Sequence, residues 1–543
     1  MTSRLPAKQT IVQGAIVLTI AGILIRIMGM VYRIPVGRWL GDEGLGIYAV
    51  PNQFYLLFFT ISSAGIPVAV ARVISEKISA GHYRDAHRVF RIAFAFMFTL
   101  GLFFSMLLFF GASWLVESGL VANPDSYMGL LAVSPVIFFA ALTSSFRGLF
   151  QGLQNMSPVA VSQVADQSML VTGTILFTYL MLPKGLSLAA AGANLGAVPG
   201  AMAATLIMAV YYFRHRGNFM EMVNRDTSGF RENKYVLLKK ILAVSIPISF
   251  ASVALIITGI IDNKLIIDRL QLVGYTQQQA TAYYGQFNQM AMSFVNISIA
   301  FAMSLGTSLV PSVAEAREAK NNNLIRQQAS TAIRLSLLTT LPAAAGLFAL
   351  APNLTYFIYA NSEAGIPLAV LSPAIVFWGL HLVLSGILQG LARADITALN
   401  LLVGIAAKIS ITYYLIPTPM GIRAAALGTV VMFIISSTLN FFSVRRMVGI
   451  DFNILSSFFR PALSALIMGL AVQQIHSWSM TLFHHSYIAT IIALISGMII
   501  FPILAMVSGS VSPEDLRSVP GIGGRAANLL SGYNSLVKRI FKK

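Results

Sequence analysis

Three arginines and an acidic pair fall within one short stretch, residues 26–52, RIMGMVYRIPVGRWLGDEGLGIYAVPN. A guanidinium presents a planar fork of donors that can hold an oxyanion through two parallel hydrogen bonds, whereas a lysine presents a point charge. Arg26 lies inside an apolar run that begins at Ile11. Charge in such a run is expensive, so the side chain is expected to face a polar cavity and not lipid. If the helix continues to Ile34, Arg26 and Arg33 lie about 20° apart around the axis and roughly 10 Å apart along it, one basic stripe. Pro35 removes a hydrogen bond and clashes with the carbonyl four residues back. A kink or helix end there carries Arg38 and the turn Gly41-Asp42-Glu43-Gly44 to an outer mouth. The simpler alternative for Arg33 and Arg38 is that they snorkel to an interface.

Two more charges sit where apolar spans are expected, Asp166 and Lys408. They are candidates for a coupling or ion site, against the alternative that Asp166 bonds to neighbouring helices and Lys408 snorkels. Lys264 and Arg269, flanked by Asp262 and Asp268, are candidate contacts at the start of a second lobe, against an ordinary solvated loop. No Walker A, HExxH or GxSxG pattern occurs, so nothing marks an ATPase, a metalloprotease or a hydrolase of the α/β type. The chain has no cysteine, which excludes thiolate catalysis and zinc-thiolate sites, and its seven histidines are scattered. Neither a catalytic residue, a cofactor nor a metal site is expected. The energy source must then be external, a membrane potential or an ion gradient.

The elements that position these residues follow from composition. Of 543 residues 56% are hydrophobic and 10% charged, and the mean hydropathy is +0.75, which is the composition of an all-α integral membrane protein. At about 20 apolar residues per span, helices are expected near 11–34, 46–71, 89–112, 127–147, 158–182, 187–213, 237–260, 281–310, 330–350, 367–391, 397–416, 421–444, 459–478 and 486–508, about fourteen. Placing alternate connections on the cytoplasmic side, with Arg147 in one of them, collects 29 of the 37 Lys and Arg there. Both termini are therefore expected in the cytoplasm.

A repeat runs through the pattern. Gly148-Leu-Phe-Gln-Gly152-Leu recurs as Gly386-Ile-Leu-Gln-Gly390-Leu, and Pro183, Gly185 and Gly192 recur as Pro419, Gly421 and Gly428. Two six-helix lobes of the same orientation are expected, 1–216 and 237–446, joined by a cytoplasmic linker 217–236. Two extra helices occupy 447–508 and a basic tail 509–543. That tail contains LRSVPGIGGRAANLL, which resembles a helix-hairpin-helix element. Beside a membrane it reads as a segment held by anionic lipid, and no nucleic-acid partner is expected.

The six-plus-six-plus-two arrangement, the first-helix arginine and GDEGLGIYAVPN resemble the MurJ group of the multidrug/oligosaccharidyl-lipid/polysaccharide exporter superfamily, most closely its YtgP/SpoVB branch. Arg26, Gly29, Asp42, Pro51 and Asn52 match the group's pattern. Tyr32 stands where a second arginine is usual, with Arg33 one residue late, and Tyr55 replaces an arginine after the Pro-Asn pair. The resemblance implies a flippase of the bacterial cytoplasmic membrane, not an enzyme. It would carry lipid II, an undecaprenyl-diphosphate-linked peptidoglycan precursor, to the outer leaflet by alternating access. Arg26, Arg33, Arg38, Asp42 and Asn52 would contact the substrate, and cell-wall synthesis proteins are implied partners. Alternatives are a flippase for another polyprenyl-diphosphate-linked oligosaccharide, a multidrug antiporter, a membrane-embedded glycosyltransferase, or a non-transporting cell-wall assembly factor.

Overall fold

The computed structural model describes residues 11–510 except 64, 225, 227–231 and 451–454. The tail beyond 510 and the charges Arg4, Lys8, Arg225 and Arg231 lie outside the described residues. Helix occupies most of each of the fourteen expected stretches, with breaks at 32, 65, 196, 299 and 372–373 dividing five of them. By length and composition, nine helices among the described residues can cross a membrane, or eleven if each bent pair counts as one span. The chain is an all-α, multi-pass membrane protein.

It forms two compact units, 1–285 and 286–543. The first contains α1 (Ile11–Val31), α2 (Arg33–Ser63), α3 (Ile66–Ser79), α4 (Tyr83–Glu117), α5 (Tyr127–Gly152), α6 (Ser157–Met181), α7 (Leu186–Leu195), α8 (Ala197–Asn224), α9 (Lys234–Gln271) and α10 (Gln277–Gly285). Helix α5 is central, packing against α2, α3, α4, α7 and α8, while α1 lies along α6. Val70, Ile74, Phe90, Met97, Phe146, Leu149 and Met208 form a core, with the Phe90 and Phe146 rings 5.5 Å apart. Lipid is as apolar as leucine, so helix association there depends on close packing and small residues. A Cβ at Gly148 would lie 2.8 Å from that of Val70, so glycine lets α5 sit directly on α3.

The compact units do not part in the expected linker 217–236. Helices α9 and α10 pack on α2, and α9 also packs on α3 and α4, which assigns both to the first unit. A polar strap explains part of this. Glu232, just before α9, accepts a hydrogen bond from Lys240 of α9 and forms an ion pair with Lys77 of α3, each at 2.6 Å. The Glu232 N–H donates to Asp85 of α4 at 3.0 Å, and Asp85 also pairs with Arg88 at 2.7 Å. The Lys240 hydrogen bond and the Lys77 ion pair hold the Glu232 carboxyl below its usual range.

The second unit contains α11 (Met292–Ser298), α12 (Ala300–Glu318), α13 (Asn322–Tyr359), α14 (Gly365–Leu371), α15 (Ala374–Gly390), α16 (Ala394–Leu415), α17 (Ile422–Val448), α18 (Arg460–Phe483) and α19 (Ser486–Val507). Helix α15 packs against α12, α13 and α17. Helices α18 and α19 pair with each other and lie against α13 through Leu350, Leu354, Met468, Val472 and Ala493. Their outer residues, including Leu470 and Met498, are exposed, as a lipid-facing surface requires.

The repeat is visible in the backbone of each unit. Helix α5 ends at Gly152 and is followed by Gln154 at φ 56°, and α15 ends at Gly390 and is followed by Ala392 at φ 57°. Gly185 before α7 and Gly421 before α17 both have positive φ, where a Cβ is strained. A Cβ at Gly390 would lie 2.7 Å from that of Val313 on α12, the counterpart of the α5–α3 contact.

The opening stretch departs from expectation. The helix does not continue to Ile34: α1 ends at Val31, Tyr32 is a turn, and α2 begins at Arg33. Val31 is the residue whose carbonyl the Pro35 ring would crowd, so proline acts four residues upstream of itself. Arg26 and Arg33 therefore belong to different helices and form no continuous stripe. In place of an open turn at 41–44, α2 kinks at Gly41 (φ 63°) and resumes.

Candidate functional site

Within the first unit, α2, α5, α6, α7 and α8 enclose a cavity of about 350 Å3. Its polar lining includes Tyr32, Tyr48, Asn52, Tyr55, Arg147 and Asp166. Arg147 Nη2 lies 3.5 Å from Asp166 Oδ2, with the two side chains 21% and 35% exposed. Both line the cavity and are partly exposed. Among the described residues, neither Nε nor Nη2 of Arg147 has a hydrogen-bond partner. The pair is thus a charge contact with donors to spare. Opposite charges attract strongly in so apolar a setting, and removing one leaves the other costly.

Local packing brings the pair together. Arg147 sits more than a turn before the end of α5, and Asp166 lies on the next helix, α6. A Cβ at Gly200 of α8 would come within 2.6 Å of the Asp166 carbonyl oxygen and 2.9 Å of its Oδ1. Only glycine lets α8 approach α6 at that level. Thr143 and Thr205 share a 2.8 Å hydroxyl contact beside the cavity, and Asn194 donates to the Ala190 carbonyl at 3.2 Å.

Sequence reasoning placed Arg147 in a connection between spans. The structure puts it inside α5, which runs on to Gly152. A single arginine within Leu142-Thr-Ser-Ser-Phe-Arg-Gly148, one hairpin away from an aspartate in the next apolar helix, was the available signal.

Other candidates are dispersed. Asn52 lines the cavity. Arg26 and Arg38 are exposed, Arg33 is half-buried, and Asp42 Oδ1 accepts the Glu43 N–H at 3.0 Å. Lys264 and Arg269 lie on α9 in the first unit, not at the start of a second. Lys264 donates to the Gly119 carbonyl at 2.6 Å and pairs with Asp268 at 3.0 Å, so its ammonium is committed locally. Lys408 is buried in α16, its stem beside Gly428 of α17. Asp166 and Lys408 lie in different units.

The second unit carries an apolar groove of about 450 Å3. Leu341, Phe348, Val376, Phe377, Leu466 and Leu470, from α13, α15 and α18, supply its walls.

Comparison with known proteins adds the following. The family described as "Polysaccharide biosynthesis protein" matches residues 11–317, and the MatE family matches residues 272–414. Stage V sporulation protein B of Bacillus subtilis (strain 168) is 28% identical over 525 residues, covering 95% of this chain and 99% of that protein. Lipid II flippase MurJ of the same organism is 26% identical over 486 residues, covering 85% of this chain and 88% of that protein. Among solved structures, "Lipid II flippase MurJ, inward closed conformation" superposes with a TM-score of 0.65 at 15% identity, covering 91% of this chain and 98% of the other. That likeness is one of fold.

Proposed function

The chain belongs to the polysaccharide biosynthesis protein family and to the SpoVB-like branch of the multidrug/oligosaccharidyl-lipid/polysaccharide exporter superfamily, and from that membership we propose that it flips a polyprenyl-diphosphate-linked saccharide across the bacterial cytoplasmic membrane, with lipid II as the foremost candidate. The observation that carries this reading is the polar cavity with its partly exposed Arg147–Asp166 pair, set among apolar helices of the first unit. A diphosphate-sugar head cannot cross hydrocarbon alone, because its polar groups lose hydration there. Arginine and hydroxyl groups replace part of that hydration. The apolar groove beside α18 suits a polyprenyl tail, which needs no polar partner.

In this reading the two lobes alternate in access, both termini are cytoplasmic, and Arg26, Arg33, Arg38, Asp42 and Asn52 meet the head group during the cycle. Asp166 and Lys408 report or couple the conformational change, driven by membrane potential or an ion gradient. Cell-wall synthesis proteins supply and consume the lipid. The match to the MatE family keeps a multidrug antiporter as a second reading. A transporter of cationic drugs favours a net acidic cavity, whereas the charges in this one are a matched pair.

The test is a leaflet-resolved assay of lipid II in cells depleted of the protein and of overlapping flippases. Accumulation in the inner leaflet, reversed by re-expression, is expected. Unchanged leaflet distribution with a retained growth defect points to the assembly-factor alternative.

A further inference from the structure

We propose that Arg147 is an oxyanion subsite for the substrate's diphosphate and that Asp166 is its built-in competitor, occupying the guanidinium until a phosphate displaces it. The inference rests on the flippase reading for the identity of the ligand, and on the geometry of the pair for its site. Three observations converge. Arg147 lines the cavity, and its Nε and Nη2, both buried, lack hydrogen-bond partners among the described residues. Guanidinium donors left bare in a shielded site are costly, so the site is better satisfied with an acceptor than without one. Asp166 is the resident anion, yet at 3.5 Å it makes a loose contact, beyond the 2.7–2.9 Å of a good charge-assisted hydrogen bond.

A diphosphate offers more than the single Asp166 carboxylate, non-bridging oxygens on two adjacent phosphorus atoms, so that one pair can take the fork while the others accept from neighbouring donors. Tyr55 and Asn52 line the same space and can donate to the oxygens that Arg147 leaves free. A guanidinium in the lining repels a metal cation, which disfavours a cation site built on Asp166. Size bounds the ligand. At about 350 Å3 the cavity lies near the small end of small-molecule sites, so it admits a diphosphate with the adjoining atoms of a sugar and leaves a disaccharide-peptide outside.

The competitor has a purpose. A bare arginine that held diphosphate tightly would retain it, whereas Asp166 returns to Arg147 as the phosphate leaves and makes release easier. Replacing Asp166 with its neutral isostere therefore strengthens ligand binding, an effect opposite to that of simple structural damage.

The experiment uses the purified full-length protein in lipid nanodiscs and measures binding of inorganic diphosphate, of a short-chain isoprenyl diphosphate and of added phosphatidylglycerol, by calorimetry, for the wild type, Asp166→Asn, Arg147→Lys and Arg147→Ala. Asp166→Asn is expected to bind both diphosphates about tenfold more tightly, and Arg147→Lys about tenfold more weakly, a change of about one decade in Kd each. Arg147→Ala should lose the site. Stronger binding of the isoprenyl form than of inorganic diphosphate assigns the site to a lipid head group, equal binding to the phosphate alone. Displacement of either by phosphatidylglycerol at matched concentration, or binding in Asp166→Asn no tighter than in the wild type, overturns the proposal. Because binding is read without transport, diphosphate held at Arg147 by a protein that moves no saccharide lipid refutes the flippase reading alone; normal flipping with no diphosphate site refutes this inference alone.

Discussion

At the scale of single residues, the proposed chemistry rests on arginines whose surroundings differ. Arg26 was legible from the sequence as a charge in an apolar run, and the structure leaves it exposed on α1. Arg147 was not legible as part of a site, because a basic residue near the end of an apolar stretch looks the same whether it snorkels or turns inward. Only the packing of α5 against α2 and α8, and the aspartate on α6, decides between those outcomes. Asn52 and Asp166 were singled out in advance, and both line the cavity. If Arg26 grips a phosphate through its fork, Arg26→Lys should lower transport by about tenfold or more despite the retained charge, since one lost charge-assisted hydrogen bond is worth roughly 1.5–3 kcal/mol. Complementation and translocation at matched expression check this. Wild-type transport in Arg26→Ala would remove the residue from the mechanism.

At the scale of elements, hydropathy placed helix in each expected stretch but not the breaks that divide several of them, such as the one before α3, since burial in lipid demands long apolar runs and says little of where they bend. What it missed were features set by one residue's backbone: the break at Tyr32 imposed by Pro35, the kink at Gly41, and the inclusion of Arg147 within α5. The strap before α9 was read from sequence as a solvated linker, and the structure ties it down through Glu232. Here the pH dependence has a definite sign. The folded-state pKa of Glu232 is depressed, so its contribution is present above the unfolded value of about 4.3 and is lost as pH falls through the lower folded value. Glu232→Gln should reduce stability at neutral pH by roughly 1 kcal/mol or less and flatten the loss below about pH 4. Thermal unfolding of the detergent-solubilised protein between neutral and acidic pH measures both. A variant with the wild-type acid profile would show that other carboxylates govern it.

At the scale of the whole molecule, the repeat could be read from sequence because each half needs glycine at the same close approaches, Gly148 and Gly152 in one, Gly386 and Gly390 in the other. The division into compact units could not, because α9 joins the first unit through contacts with α2, α3 and α4 that no local pattern announces. The polar cavity of the first unit and the apolar groove of the second are the features on which the proposed carriage of an amphipathic lipid rests. Movement of that lipid is the central claim, and reconstitution tests it most directly. Vesicles carrying the purified protein and a fluorescent polyprenyl-diphosphate-linked disaccharide are exposed to a membrane-impermeant quencher, with and without an imposed membrane potential. The account predicts that the protected inner-leaflet fraction becomes accessible in vesicles with the wild-type protein and stays protected in vesicles with Arg147→Ala. Equal protection with the wild-type protein and with empty vesicles, under every potential applied, would contradict it.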